Sequence, residues 1–149
     1  MARIIDVAAY ILKQRSTMTT MKLQKLTYYS QALYLSLYET PLFDENFEAW
    51  KNGPVAPELF NRHRGMFLIH DGELAGEPDI TRLNGVEKTT IERICKYLGD
   101  LTGNELSERT HMEDPWKDAR KGLSPYDSCN IVIPKQDICE YYKVNKIIV

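Results

Sequence analysis

The sequence has few of the residues that do chemistry. Histidine occurs three times, at His63, His70 and His111, and cysteine three times, at Cys95, Cys129 and Cys139. An odd cysteine count at no metal-like spacing argues against both a disulfide framework and a zinc site, and reduced thiols are expected. There is no glycine-rich phosphate cradle and no nucleophile elbow. No apolar run approaches the length that a bilayer crossing needs. Charge of one sign is not in excess: the net charge is −2. Up to Gly65 the chain has 8 basic and 6 acidic residues, and after it 11 and 15. That mild asymmetry leaves no footprint for nucleic acid.

What is present suits an ordinary globular protein. The 149 residues are enough for one domain with one core, at 43% hydrophobic and 27% charged. The N-terminal MARIIDVAAYILKQR is interrupted by Asp6 and closed by no small-residue cleavage site. It reads as a first helix rather than a signal peptide, which places the protein in the cytoplasm.

Thr20–Tyr38 is the stretch around which the rest is organised. It lacks glycine and proline, and Leu23, Leu26, Ser30, Leu33 and Leu37 recur at helical spacing. Tyr28, Ala32 and Leu35 make a second stripe, with Tyr29 and Tyr34 between. A helix apolar on several sides is a buried one. Lys22, Gln24, Lys25 and Gln31 interrupt it. Such groups commonly sit at the rim and snorkel to water; the alternative is that Gln24, Lys25 and Gln31 bond to loops on the helix or to a partner.

Around it the spacing predicts helices at Arg3–Gln14, Pro57–Gly65, Val86–Leu101, Glu105–His111, Pro115–Lys121 and Lys135–Val144. Ser16–Thr20 is a polar link, with side chains that cap the central helix. Alternation around Phe47–Lys51 and a turn at Asn52-Gly53 predict a small β element near residues 46–55. A further short strand is expected at Asp79–Leu83, and Ile131–Ile133 is a brief extended run. The fold class is mainly α, a compact helical domain of residues 1–149 around a central buried helix, with no internal repeat or linker.

Candidate chemistry is sparse. His111 followed by Glu113 and Asp114 is the one arrangement that resembles acid–base machinery, and it defines a hydrolase alternative. The same three residues are at best a weak metal site. The bland account of His111 is a partly buried imidazole. The Glu113-Asp114 pair is likewise explained by its position ahead of a helix start, where negative charge is stabilised. Asp44-Glu45 and Asp118 are surface carboxylates of a common kind, and Arg62-His63-Arg64 is a basic helix end.

Three segments, KLQKLTYYSQALYL, PLFDENFEAWKNGPVAPELF and LSERTHMEDPWKDARKG, resemble the signature blocks of the SocA-like antitoxin domain, also called Panacea. Its prophage-encoded members are known as GepA-type phage-associated proteins. The blocks occur in the family's order across about Leu23–Gly122. Carried over by position, the marked residues are Gln24, Lys25, Leu26, Tyr28 and Gln31, then Gly53, Pro54 and Val55, then His111, Pro115 and Trp116. The chain departs from the pattern in having Lys51-Asn52 before the glycine, where an aromatic residue is common.

The resemblance implies a non-enzymatic antitoxin that binds a cognate toxin protein directly, without a cofactor. In the founding member it also implies an adaptor that presents the toxin to a bacterial protease. Members with an added DNA-binding module regulate their own operon; a prophage DNA-binding regulator is the remaining alternative, although no such module is evident in this chain. The marked residues also have a structural explanation. Gly53-Pro54 permits a sharp turn against the central helix, Gln24 and Gln31 pin that turn through their amides, and Trp116 covers its far end. Toxin contact then falls to large side chains outside the core: Trp50, Arg62, Arg64, Phe67 and Tyr126, with Trp50 and the two arginines on one surface.

Overall fold

A computed structural model describes all 149 residues. Seven α-helices and two small two-stranded sheets surround one core. The helices are α1 (Ile4–Arg15), α2 (Thr20–Tyr38), α3 (Pro57–His63), α4 (Gly85–Leu98), α5 (Gly103–His111), α6 (Asp114–Ala119) and α7 (Lys135–Val144). The strands are β1 (Thr17–Thr19), β2 (Glu48–Trp50), β3 (Gly53–Val55) and β4 (Leu68–His70).

The central helix has the predicted bounds. The Thr19 hydroxyl caps it by accepting from the Lys22 amide at 3.1 Å, and it ends at Glu39 in the left-handed region. From Leu23 to Leu33 every residue is buried. α1, α4, α5 and α7 pack around it, which is what an all-round apolar helix requires. Leu37 departs from its stripe: it is 47% exposed.

The link before α2 is not merely polar. Thr17–Thr19 forms β1 and pairs antiparallel with β4, Met18 opposite Ile69. Both of those side chains are buried, so the strand carries one core residue, Met18, that a polar reading overlooks, and its partner carries another. β2 and β3 form the expected β element as a hairpin, with Trp50 opposite Gly53; the turn lies at Lys51-Asn52, one residue before the expected Asn52-Gly53, because Gly53 already pairs in β3. Ile131–Ile133 lies against the outer edge of β2: the Ala49 amide donates to the Ile131 carbonyl at 2.9 Å, and the Ile133 amide to the Phe47 carbonyl at 2.8 Å.

The strand expected at Asp79–Leu83 is instead a 3-10 turn, Ile80–Arg82, which the Asp79 side chain caps. The organiser is Asp6, fully buried in α1. Its carboxylate accepts from the Asp79 amide at 2.8 Å and pairs with Arg3 and Arg82. The residue that breaks the apolar start of the chain therefore anchors the long loop. Thr102 caps α5 with a reciprocal Glu105 bond, and Glu113 precedes α6 without a side-chain cap.

The leucine face of α2 supplies the first prediction. Leu33, 5% exposed, should cost about 2–5 kcal/mol on truncation to alanine, from lost transfer energy and the cavity left behind. Urea melts of both proteins measure it; a loss below about 1 kcal/mol would contradict a packed position.

Candidate functional site

Three polar side chains on α2 are buried rather than at a rim: Gln24 is 2% exposed, Lys25 1% and Gln31 1%. Each is bonded to a loop backbone, so the snorkelling arrangement is overturned. Gln24 behaves as a strand edge made of one side chain. Its Oε1 accepts from the Ala56 amide at 2.9 Å and its Nε2 donates to the Ala56 carbonyl at 3.3 Å. Lys25 donates to the Pro54 carbonyl at 3.1 Å. Gln31 does not reach this turn. It makes the same paired contact with another segment, accepting from the Leu42 amide at 2.7 Å and donating to the Phe43 carbonyl at 2.8 Å. One helix face thus positions two separate loops, because loop N–H and C=O groups facing a core must find partners there.

Gly53 is where the hairpin comes closest to α2. Its φ is +113°, and a methyl there would lie 2.6 Å from Lys25 Cε and 2.9 Å from Thr110 Oγ1. Only glycine meets both demands. The Ser107 hydroxyl holds the turn from α5 by donating to the Asn52 carbonyl.

Trp116 lies over the hairpin: its indole donates to the Trp50 carbonyl at 2.7 Å, and its ring stacks on His111 at 4.1 Å between centroids. Pro115, in the first turn of α6, is buried beside it. Arg120, which the sequence does not single out, is 4% exposed and meets no carboxylate. Its guanidinium lies over the Trp116 ring and donates to the carbonyls of Ala49, Ser124 and Asp127. A basic residue just past a short helix carries no periodicity signal.

His111 does not join Glu113. The imidazole Nε2 is buried with no hydrogen-bond partner, and burial lowers its pKa, so it is a neutral stacking group. Glu113 Oε1 accepts from the hydroxyls of Tyr29 at 2.5 Å and Tyr142 at 2.8 Å. Tyr142 meets Tyr28 at 3.2 Å. Burial raises the Glu113 pKa. The cluster ties α2, α6 and α7 together, with its polar atoms engaged with one another. Asp114 is exposed. No group of three or more His, Cys, Asp or Glu is placed to hold a metal ion. Cys95 is buried, which pushes its thiol up to about 11, and no base activates it.

The main concavity lies on the outer side of the pinned hairpin, a cleft of about 870 Å³. Gln24, Lys25 and His63 form its floor, Trp50, Val55 and Phe60 line it, and Lys51, Asn52 and Ser128–Asn130 border it. His63 is buried, its Nε2 3.0 Å from Gln24 Nε2. Since Gln24 donates there, His63 accepts and is neutral; burial lowers its pKa accordingly.

Of the large side chains outside the core, Trp50 and Arg64 converge. The Trp50 and Phe60 rings are 5.3 Å apart, and the Arg64 guanidinium lies 5.6 Å over Phe60. Arg62 turns away toward Gly76 and shares a smaller groove with Arg3, Glu45 and Glu58. Phe67 is 76% exposed beside β4 and Tyr126 85% exposed in the loop after α6, both outside the lining of the cleft.

The arrangement is that of a helix-centred domain whose marked residues hold one hairpin in place and leave an aromatic cleft open. The model of one protein family, described as Antitoxin SocA-like, Panacea domain, matches residues 23–117, and the chain belongs to that family. The match begins at the helix and ends one residue past Trp116, so it spans the three parts that meet at the hairpin. No significant match was found among curated proteins or solved structures. No helix is long and apolar enough to cross a membrane.

Two predictions follow from the pinned turn. Gly53→Ala should destabilise the protein by about 2 kcal/mol or more, through strained backbone and displacement of Lys25; a thermal or urea melt unchanged within about 0.5 kcal/mol would contradict the close approach. The second concerns pH. Burial pushes the Lys25 amine down from 10.5 to about 7, so between those values the unfolded chain binds more protons. Stability then rises with pH across that window. Urea melts should show a gain of about 1–2 kcal/mol from pH 7.5 to 9.5 that is missing in Lys25→Met. The raised Cys95 thiol acts in the opposite sense from about pH 9 and the raised Tyr28, Tyr29 and Tyr142 from about 10, in both proteins alike, so the difference between wild type and Lys25→Met isolates the lysine.

Proposed function

We propose that this protein is an antitoxin that neutralises a cognate toxin protein by direct, non-covalent binding, as one cytoplasmic domain and without catalysis. The observation that carries the reading is the family match across helix, hairpin and tryptophan. The geometry supports it in two ways. His111 and Glu113 are each committed to packing rather than to one another. The half-buried Trp50 and Phe60, with Arg64 above, are the residue types that dominate the energy of protein interfaces. Delivery of the toxin to a protease is the further partner that the resemblance implies.

The test is co-expression of each neighbouring gene's product in a bacterial host, with and without this protein. Growth rescue should persist in a folded His111→Ala variant and fall by at least about tenfold in plating efficiency with Trp50→Ala. Rescue lost only with His111→Ala would transfer the reading to an enzyme, and rescue of no neighbour would remove it. In the same cells a shortened toxin half-life marks protease delivery, and an unchanged half-life marks binding alone.

A further inference from the structure

The floor of the cleft carries a group that pinning the hairpin does not exhaust. The Lys25 amine is 1% exposed and has a single acceptor, the Pro54 carbonyl. As an ammonium it would offer three donors. All six ion pairs of the protein lie elsewhere, so it has no counter-ion. His63 beside it likewise meets an amide rather than an acid. The carboxylate on the wall, Glu48, is occupied by the Trp50 indole N–H at 2.8 Å. Lys51 stands exposed at the hairpin tip, and Arg64 over Phe60. The cleft therefore presents a buried amine without a counter-ion next to an aromatic wall, with Lys51 at its border and Glu48, held by the Trp50 indole, as the carboxylate in its lining.

Resting on the antitoxin reading, we propose that the cleft is the docking site for an acidic side chain of the partner toxin, an Asp or Glu flanked by an apolar residue. The carboxylate supplies the counter-ion that Lys25 lacks, and the apolar neighbour packs on Trp50 and Phe60. Two features favour a protein segment as the occupant. The volume, about 870 Å³, accommodates several side chains, and the border of exposed Lys51, Asn52, Ser128 and Asn130 offers polar groups to a backbone running across it. Binding there converts the amine into an ammonium with an ion-pair partner, which an anion near a buried base favours.

The probes are acetylated, amidated hexapeptide pools with a fixed central Leu-Glu or Phe-Asp, against matched Leu-Gln and Phe-Asn pools, titrated into the full chain. Tryptophan emission and the 13Cε resonance of Lys25 at pH 8 are the readouts. The acidic pools should bind at least about tenfold more tightly, the equivalent of 1.4 kcal/mol, and shift the Lys25 resonance to its protonated position. Folded Lys25→Met should lose that preference and keep the amide-pool affinity. Equal binding of the two pool types, or a preference that survives in folded Lys25→Met, overturns the proposal. Should Lys25→Met fail to fold, the wild-type resonance decides: a shift with acidic pools supports the site, and no shift overturns it. Growth rescue by wild type without any acidic preference defeats the cleft assignment and leaves the antitoxin reading standing. Acidic preference without rescue of any neighbour does the reverse, upholding the carboxylate site while the antitoxin reading fails.

Discussion

The paired hydrogen bond between the Gln24 amide and the Ala56 backbone is the contact on which the hairpin depends. A loop laid on a buried helix must have its N–H and C=O groups satisfied by that helix, whose own backbone is fully used. A side-chain amide offers one acceptor and two donors in a plane, which matches the pair that a residue presents. With Ala56 fixed, Pro54 falls above Lys25 and Gly53 into the narrow space beside Thr110. The hairpin is consequently set by contacts within the core rather than by its own three-residue strands, which would be marginal alone.

The same solution recurs. Gln31 holds Leu42 and Phe43, Arg120 holds Ala49 and the 124–127 loop, and Asp6 holds the Asp79 amide. Each is buried; Gln31 and Arg120 spend their polar atoms on backbone, and Asp6 divides its carboxylate between the Arg3 and Asp79 amides and the Arg3 and Arg82 side chains. Removing one of them leaves buried groups unpaired, at about 1–3 kcal/mol each. Gln24, Lys25, Gln31, Gly53 and Trp116 thereby share a packing role, each helping to hold a loop or the hairpin in place, and the Trp50 and Phe60 rings stand in the cleft that Gln24 and Lys25 also line. Such a fixed cleft is what the proposed recognition of a partner requires.

Much of this was legible in the chain. The absence of helix breakers from Thr20 to Tyr38 located α2, and Pro57 located the start of α3. Gly-Pro-Val announced the turn. What periodicity did not reveal is where polar residues on an apolar helix go, because rim and core positions share the same spacing; Gln31 serves a different loop from Gln24 for a reason only tertiary packing shows. The pairing of Thr17–Thr19 with Leu68–His70 joins segments about fifty residues apart, beyond the reach of local pattern. Asp79–Leu83, expected as a short strand, finds no strand to pair with, and Asp6 draws it into a turn. At the site, Trp50 and Arg64 are predictable by residue type and Lys25 only through the resemblance, whereas Arg62 points elsewhere and His63 reaches the cleft floor because α3 turns that face toward Gln24.

The central claim, that α2 side chains rather than the hairpin itself fix the turn, is tested most directly by amide hydrogen exchange in Gln24→Leu. The Ala56 amide, held by Gln24, should exchange at least about tenfold faster than in the wild type, reflecting at least about 1.4 kcal/mol of lost protection. The Leu42 amide, held by Gln31, should be unchanged and serves as the internal control. An Ala56 amide as protected as before, in a protein that remains folded, would contradict the account.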